Sequence, residues 1–181
     1  MDWPRRIPTI ADDVITLRPL EAGDIPSVLA ASQDPVTAEF TVVPQPYTEA
    51  DARDFVESRS TRVWPGFDLA IVDPGDDFLG LCGLRAEDED AVTKIGYSVA
   101  PHARGRGVAT RATRLLIGYS WQIGAVRVGL DAYASNTASR IVAHRCGFVE
   151  EGVLRSAVLG RNGQRHDLVV HGLLRTDRGA I

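Results

Sequence analysis

The stretch "PHARGRGVATRA", residues 101–112, sets two glycines and three arginines between an apolar run and a helical pattern. Upstream, "VTKIGYSVA" (92–100) is β-rich and reads as a strand. Downstream, Val108, Ala112, Leu115, Leu116, Tyr119 and Ile123 form one helical stripe, which Gly124 stops. The glycines therefore lie where a strand turns into a helix. Free backbone N–H groups at such a helix start, backed by the helix dipole, bind phosphate oxygens, and glycine lets a ligand approach the backbone. Arg104 and Arg106 add positive potential. A solvated basic turn would use the same residue types, so both readings stand at this point.

Working outward, "VITLRPL" (14–20) reads as a strand, and "EAGDIPSVLAASQD" as a helix opened by Asp24 with proline in its first turn. "PVTAEFTVVPQPY" follows as a loop, and Thr48 with Asp51 forms a capping box for a helix ending near Arg62. "FDLAIVD" (67–73), "DFLGLCGLR" (77–85) and residues 92–100 make an antiparallel meander, with acidic "EDED" (87–90) in its second turn. After the striped helix come a strand, "VRVGLDA", a helix from Asn136 to Gly147, and two strands near 148–158 and 167–174. The expected order is β-α-α-β-β-β-α-β-α-β-β.

The 181 residues suit one domain spanning 1–181, with 1–12 as a loosely ordered extension. A net charge of −4 argues against nucleic acid as partner and makes the basic stretch a local feature. Cys82 and Cys146 have neither zinc-site nor disulfide-framework spacing, which fits a reducing cytoplasm. The N-terminus "MDWPRRIPTIADD" lacks the apolar core of a signal peptide. No apolar run reaches the roughly 18 residues of a membrane span, so no membrane association is expected.

Three phosphate-binding patterns compete for the opening stretch. A Walker loop, GxxxxGK[ST], is absent. A dinucleotide fingerprint is nearly matched by Gly105 and Gly107, with Asp131 at the end of the next strand, but Thr110 replaces the third glycine. The pattern [QR]xxGx[GA] is matched at Arg104, Gly107 and Ala109. With "IGYSVAP" before it and "SNTASRIVAHRCGFVEEG" after it, the chain resembles the GNAT N-acetyltransferase superfamily, most of all its Rim-type branch of ribosomal-protein N-terminal acetyltransferases. The resemblance implies an α/β (α+β) fold with a mixed, mostly antiparallel central sheet flanked by helices. It also implies acetyl-CoA as co-substrate and a primary amine as acceptor, on a small molecule or a protein N-terminus. A homodimer is compatible with it.

Carried over residue by residue, the resemblance assigns CoA binding to Val99, Arg104, Gly105, Arg106, Gly107, Val108, Ala109, Thr110, Asn136 and Ser139. It assigns backbone contacts with the thioester carbonyl to Tyr97, Ser98 and Val99, and a place near the CoA sulfur to the Ser139 hydroxyl. Asn136 and Ser139 are equally the natural cap and first turn of a helix. The chain departs from the family at Lys94, where many members carry Glu, at Ala143, where many carry Tyr, and near Val158, where an acid is common. Lysine cannot be a carboxylate base. Deprotonation then falls to water, to the amine's own equilibrium, or to an acid such as Asp131 or Glu150. An acyl-CoA-binding module with little turnover is the alternative, and a nicotinamide-dinucleotide binder a further one. The histidines at 102, 144, 166 and 171 read as solvated or packed, and Trp64 and Phe67 as core or as pocket walls.

Overall fold

The computed structural model describes residues 1–87, 90–160 and 163–177. The chain runs through β1 (Ile10–Ala11), β2 (Thr16–Pro19), α1 (Ile25–Ser32), α2 (Pro35–Phe40), α3 (Glu49–Arg59), β3 (Gly66–Val72), β4 (Phe78–Glu87) and β5 (Val92–Val99). It continues with α4 (Val108–Gln122), β6 (Arg127–Tyr133), α5 (Thr137–Arg145), β7 (Val149–Leu159) and β8 (Arg165–Leu174). Among the described residues the strands form one sheet, β1-β2-β3-β4-β5-β6-β8-β7, in which only β5 and β6 run parallel. This is the mixed, mostly antiparallel sheet that the resemblance implies. It is no doubly wound parallel sheet, so the dinucleotide reading loses its structural basis.

Strand β3 shows why the sheet lies between two layers. Phe67, Leu69 and Ile71 point into a core with Ala112, Leu116 and Ile117 of α4, while Ala70 and Val72 join Val28 of α1 with Ala52 and Val56 of α3 on the opposite face. Alternation along one strand thus fills both cores, and the run is continuously apolar from Leu69 to Val72.

Local chemistry explains most helix ends. Thr48 and Asp51 form the expected capping box, with Thr48 N–H to Asp51 Oδ2 at 2.8 Å and Asp51 N–H to Thr48 Oγ1 at 3.2 Å. Asp24 differs from expectation: its carboxylate does not cap α1, but accepts two hydrogen bonds from Arg18 and one from Glu21 N–H. A buried ion pair has outcompeted the cap. Residues 35–40 form α2 instead of loop, because Asp34 caps it through Thr37 N–H and Pro35 suits its first turn. The first twelve residues, expected to be loose, are held at several points. Ile10 and Ala11 pair with β2, Asp2 N–H reaches Ile123 O, and Trp3 Nε1 donates to Val63 O at 2.7 Å.

Two residues of the acidic 87–90 turn, Asp88 and Glu89, lie outside the described residues. Among those described, no helix is long and apolar enough to cross a membrane.

Candidate active site

β5 and β6 are joined by only three register pairs, Val92–Arg127, Thr93–Val128 and Lys94–Gly129. Beyond these the strands part. β6 takes its partners from β8 along its whole length, and β5 stays paired to β4. The backbone of residues 95–99 therefore has a strand on one side and an open edge on the other. A cavity of about 580 Å³ occupies this gap, lined by Tyr97, Ser98 and Val99 from β5, Asp131 and Tyr133 from β6, and Asn136 and Ser139 at the start of α5.

The glycine loop closes one end of the cavity. Gly107 is the N-cap of α4 at φ 80°, ψ 4°, and Gly105 has φ 74°. A Cβ added at either would meet nothing within 4 Å, so these glycines serve backbone conformation and open approach, not packing. Among the described residues no side chain caps α4. The N–H groups of its first turn, at Val108, Ala109 and Thr110, stay available beside the positive end of a 15-residue helix. All three residues, with Gly105 and Gly107, line the cavity.

The two loop arginines part company. Arg106 lies in an adjoining groove with Arg111, Arg114 and Arg145. Arg104 lines the cavity, but its guanidinium is committed: it donates to Asp34, to Thr37 Oγ1 at 3.1 Å and to Val99 O at 3.2 Å. It thereby clamps α2 to the glycine loop. That clamp brings Val36, Thr37, Phe40 and Thr41 into the cavity wall, from a segment expected to be loop.

Asn136 is the N-cap of α5, its side-chain oxygen accepting from Ser139 N–H at 3.0 Å. This cap presents the Ser139 hydroxyl to the Tyr97 phenol, 2.9 Å away. Burial pushes the Tyr97 pKa up to about 12, partly offset by the Ser139 hydrogen bond. Tyr97 thus brings a protonated side chain to the site, whereas the resemblance pointed only to its backbone.

Lys94 stands away from the cavity wall, its ammonium 2.8 Å from Glu87 and 2.9 Å from Asp131. Burial works to lower its pKa, but the bonds to Glu87 and Asp131 outweigh burial and raise it. A charged, doubly paired lysine is no proton acceptor. Of the two acids considered in its place, Asp131 lines the cavity, while Glu150 pairs with Arg140 on the surface. Among the described residues nothing groups as a metal site. His166 stacks on Tyr133, His171 is buried against Leu130 O at 3.0 Å, Phe67 is core, and Trp64 is exposed against Trp3; the last two do not line the cavity.

Residues 15–149 match the sequence model of the acetyltransferase (GNAT) domain. YdaF of Bacillus subtilis, provisionally named a ribosomal N-acetyltransferase, is 37% identical over 102 residues, covering 54% of this chain and 55% of that one. The match thus spans about half the length of that relative. The N-acetyltransferase p20 of Bacillus licheniformis, itself uncharacterised, is 26% identical over 93% of this chain and 97% of its own. Among solved structures, the ribosomal L7/L12 α-N-protein acetyltransferase RimL in complex with coenzyme A superposes with a TM-score of 0.82. It covers 96% of this chain and 100% of its own at 20% identity, a likeness of fold.

Proposed function

The chain belongs to the GNAT acetyltransferase family, and on that premise we propose that it transfers the acetyl group of acetyl-CoA to a primary amine, on a protein N-terminus or a small molecule. One observation carries the reading: a single cavity joins the uncapped start of α4 to the open edge of β5. A diphosphate needs the first and an extended acyl-bearing arm needs the second.

When bound, acetyl-CoA supplies an activated thioester. The chain supplies the rest. Backbone N–H groups over 105–110 hold the diphosphate, with Arg106 adding charge from the adjoining groove. The N–H groups of Tyr97 and Val99, which face the gap while that of Ser98 is turned to β4, offset the charge that gathers on the carbonyl oxygen during attack. The Ser139 hydroxyl donates a proton to the departing sulfur and regains one from the Tyr97 phenol, 2.9 Å behind it, while the proton shed by the attacking nitrogen returns through water to the phenolate. Both cysteines are free and buried, which supports placing the protein in the cytoplasm.

The test is free-thiol release from acetyl-CoA with a panel of Ala- and Ser-starting peptides, monoamines, polyamines and aminoglycosides. Release that depends on an amine supports the reading. Tight CoA binding with no release from any amine would favour the acyl-CoA-binding module.

A further inference from the structure

The groove beside the glycine loop carries four guanidinium groups in a chain whose net charge is −4. Arg111 and Arg114 stand three residues apart on α4 and so share one side of it, Arg106 comes from the loop, and Arg145 is the last residue of α5. Arg111 is neutralised by Asp12 at 3.0 Å, with Asp13 at 3.7 Å. Among the described residues no acid pairs with Arg106, Arg114 or Arg145. Arg114 donates to the Arg145 carbonyl at 3.0 Å, which ties the end of α5 to α4 and leaves both charges uncompensated. Like charges gathered in one groove repel one another, so what would complete it is an anion.

The position of the groove narrows the anion. Gly107, Thr110 and Arg145 belong to the walls of both the groove and the cavity, so the two form one continuous surface. At the cavity end of that surface is the uncapped start of α4, which the acetyl-transfer reading gives to the CoA diphosphate. CoA carries one more phosphate beyond the diphosphate, a monoester on the ribose 3′ position with a charge of about −2 at neutral pH. Guanidinium forks match phosphate oxygens two at a time, and a dianion relieves the repulsion among them.

We propose that Arg106, Arg114 and Arg145 bind the 3′-phosphomonoester of CoA, so that the protein selects CoA over its 3′-dephospho form. Arg111 stays with Asp12 and Asp13, and three guanidinium groups meet the phosphate. The selection is electrostatic: the monoester loses one charge as pH falls through about 6, and the preference weakens with it. The inference rests on the reading of acetyl-CoA as donor, but needs neither an acceptor nor turnover.

Binding of CoA and of 3′-dephospho-CoA is measured by calorimetry. Wild-type protein should bind CoA roughly tenfold or more tightly than 3′-dephospho-CoA at neutral pH, and the ratio should shrink at about pH 5. Arg114→Gln combined with Arg145→Gln should bring the ratio close to one by weakening CoA alone. Affinity for 3′-dephospho-CoA, which keeps the diphosphate and lacks the monoester, should stay that of the wild type and so reports an intact fold. Arg145→Gln by itself, which retains the carbonyl that Arg114 bonds, should lower the ratio part of the way and decides the matter where the double variant does not fold. Equal wild-type affinity for the two nucleotides, or a ratio that survives these substitutions, overturns the proposal. Equal affinities together with amine-dependent thiol release remove the phosphate site and leave the transferase reading, whereas failure to bind either nucleotide removes both.

Discussion

The Tyr97 phenol and the Ser139 hydroxyl lie 2.9 Å apart across the cavity, one on the open edge of β5 and the other on the first turn of α5. In the proposed mechanism the two act together as a two-step proton relay. Ser139→Ala and Tyr97→Phe should each lower kcat, by roughly 100-fold for the serine, with CoA affinity little changed. The double variant should be no worse than Ser139→Ala, because both residues act on one proton. Steady-state thiol release with CoA calorimetry checks this, and additive losses would separate the two side chains.

The relay also has a pH signature. With its pKa raised to about 12, Tyr97 stays protonated well above the ordinary tyrosine value of 10.0. A raised folded-state value means that stability is complete below pH 10 and declines as pH climbs from there through about 12. The kcat profile should therefore show no descending limb from Tyr97 below pH 10. Such a limb, if abolished by Tyr97→Phe, would refute its protonated role.

Gly107→Val should lower CoA affinity roughly tenfold or more, equivalent to about 1.4 kcal/mol. The positive φ of Gly107 disfavours any L side chain by about 1–2 kcal/mol, which denaturant melts should register. The space around it is open, so the fold should survive. Unchanged CoA affinity would mean that the loop is not the diphosphate cradle.

Arg104→Ala should detach α2 from the glycine loop, raise the KM for acetyl-CoA, and cost about 1 kcal/mol after allowance for partial exposure. Its pH dependence is diagnostic. The Arg104 hydrogen bond, the largest influence on Asp34, holds that carboxyl below its ordinary 3.8. A depressed carboxyl stabilises above the unfolded-state value and ceases to do so as pH falls through the folded one. The gap between wild-type and Arg104→Ala stability curves should thus be full at neutral pH and close below about pH 4. A gap independent of pH would place the effect elsewhere.

Features written in short stretches of sequence were legible from sequence. The α4 stripe, the Gly107 turn, the Thr48–Asp51 box and the Asn136 cap each depend on residues a few positions apart, and each is found where expected. Long-range pairings were not. Tyr97 and Ser139 are 42 residues apart, and Lys94 meets Asp131 only because the β5–β6 register sets Lys94 beside Gly129. Helix α2 was missed because six residues carry too little periodicity, and Arg104, 70 residues from Asp34, holds it in place. Val158 and Ala143 remain without a catalytic substitute at their own positions, and the proposed relay joins other elements.

Among the described residues, an eight-stranded sheet with two outer edges has here a further pair of edges in its middle, on β5 and on β6 past Gly129. Exposed edges ordinarily recruit strands from other molecules, but the one on β5 lines a cavity together with residues of α2, α4 and α5. Its amides should therefore exchange with solvent quickly in the free protein and slow on CoA binding, while amides that bond β6 to β8 stay protected throughout. Tyr97 and Val99 would then act as a built-in gauge of occupancy, readable without an acceptor and without any chemistry taking place.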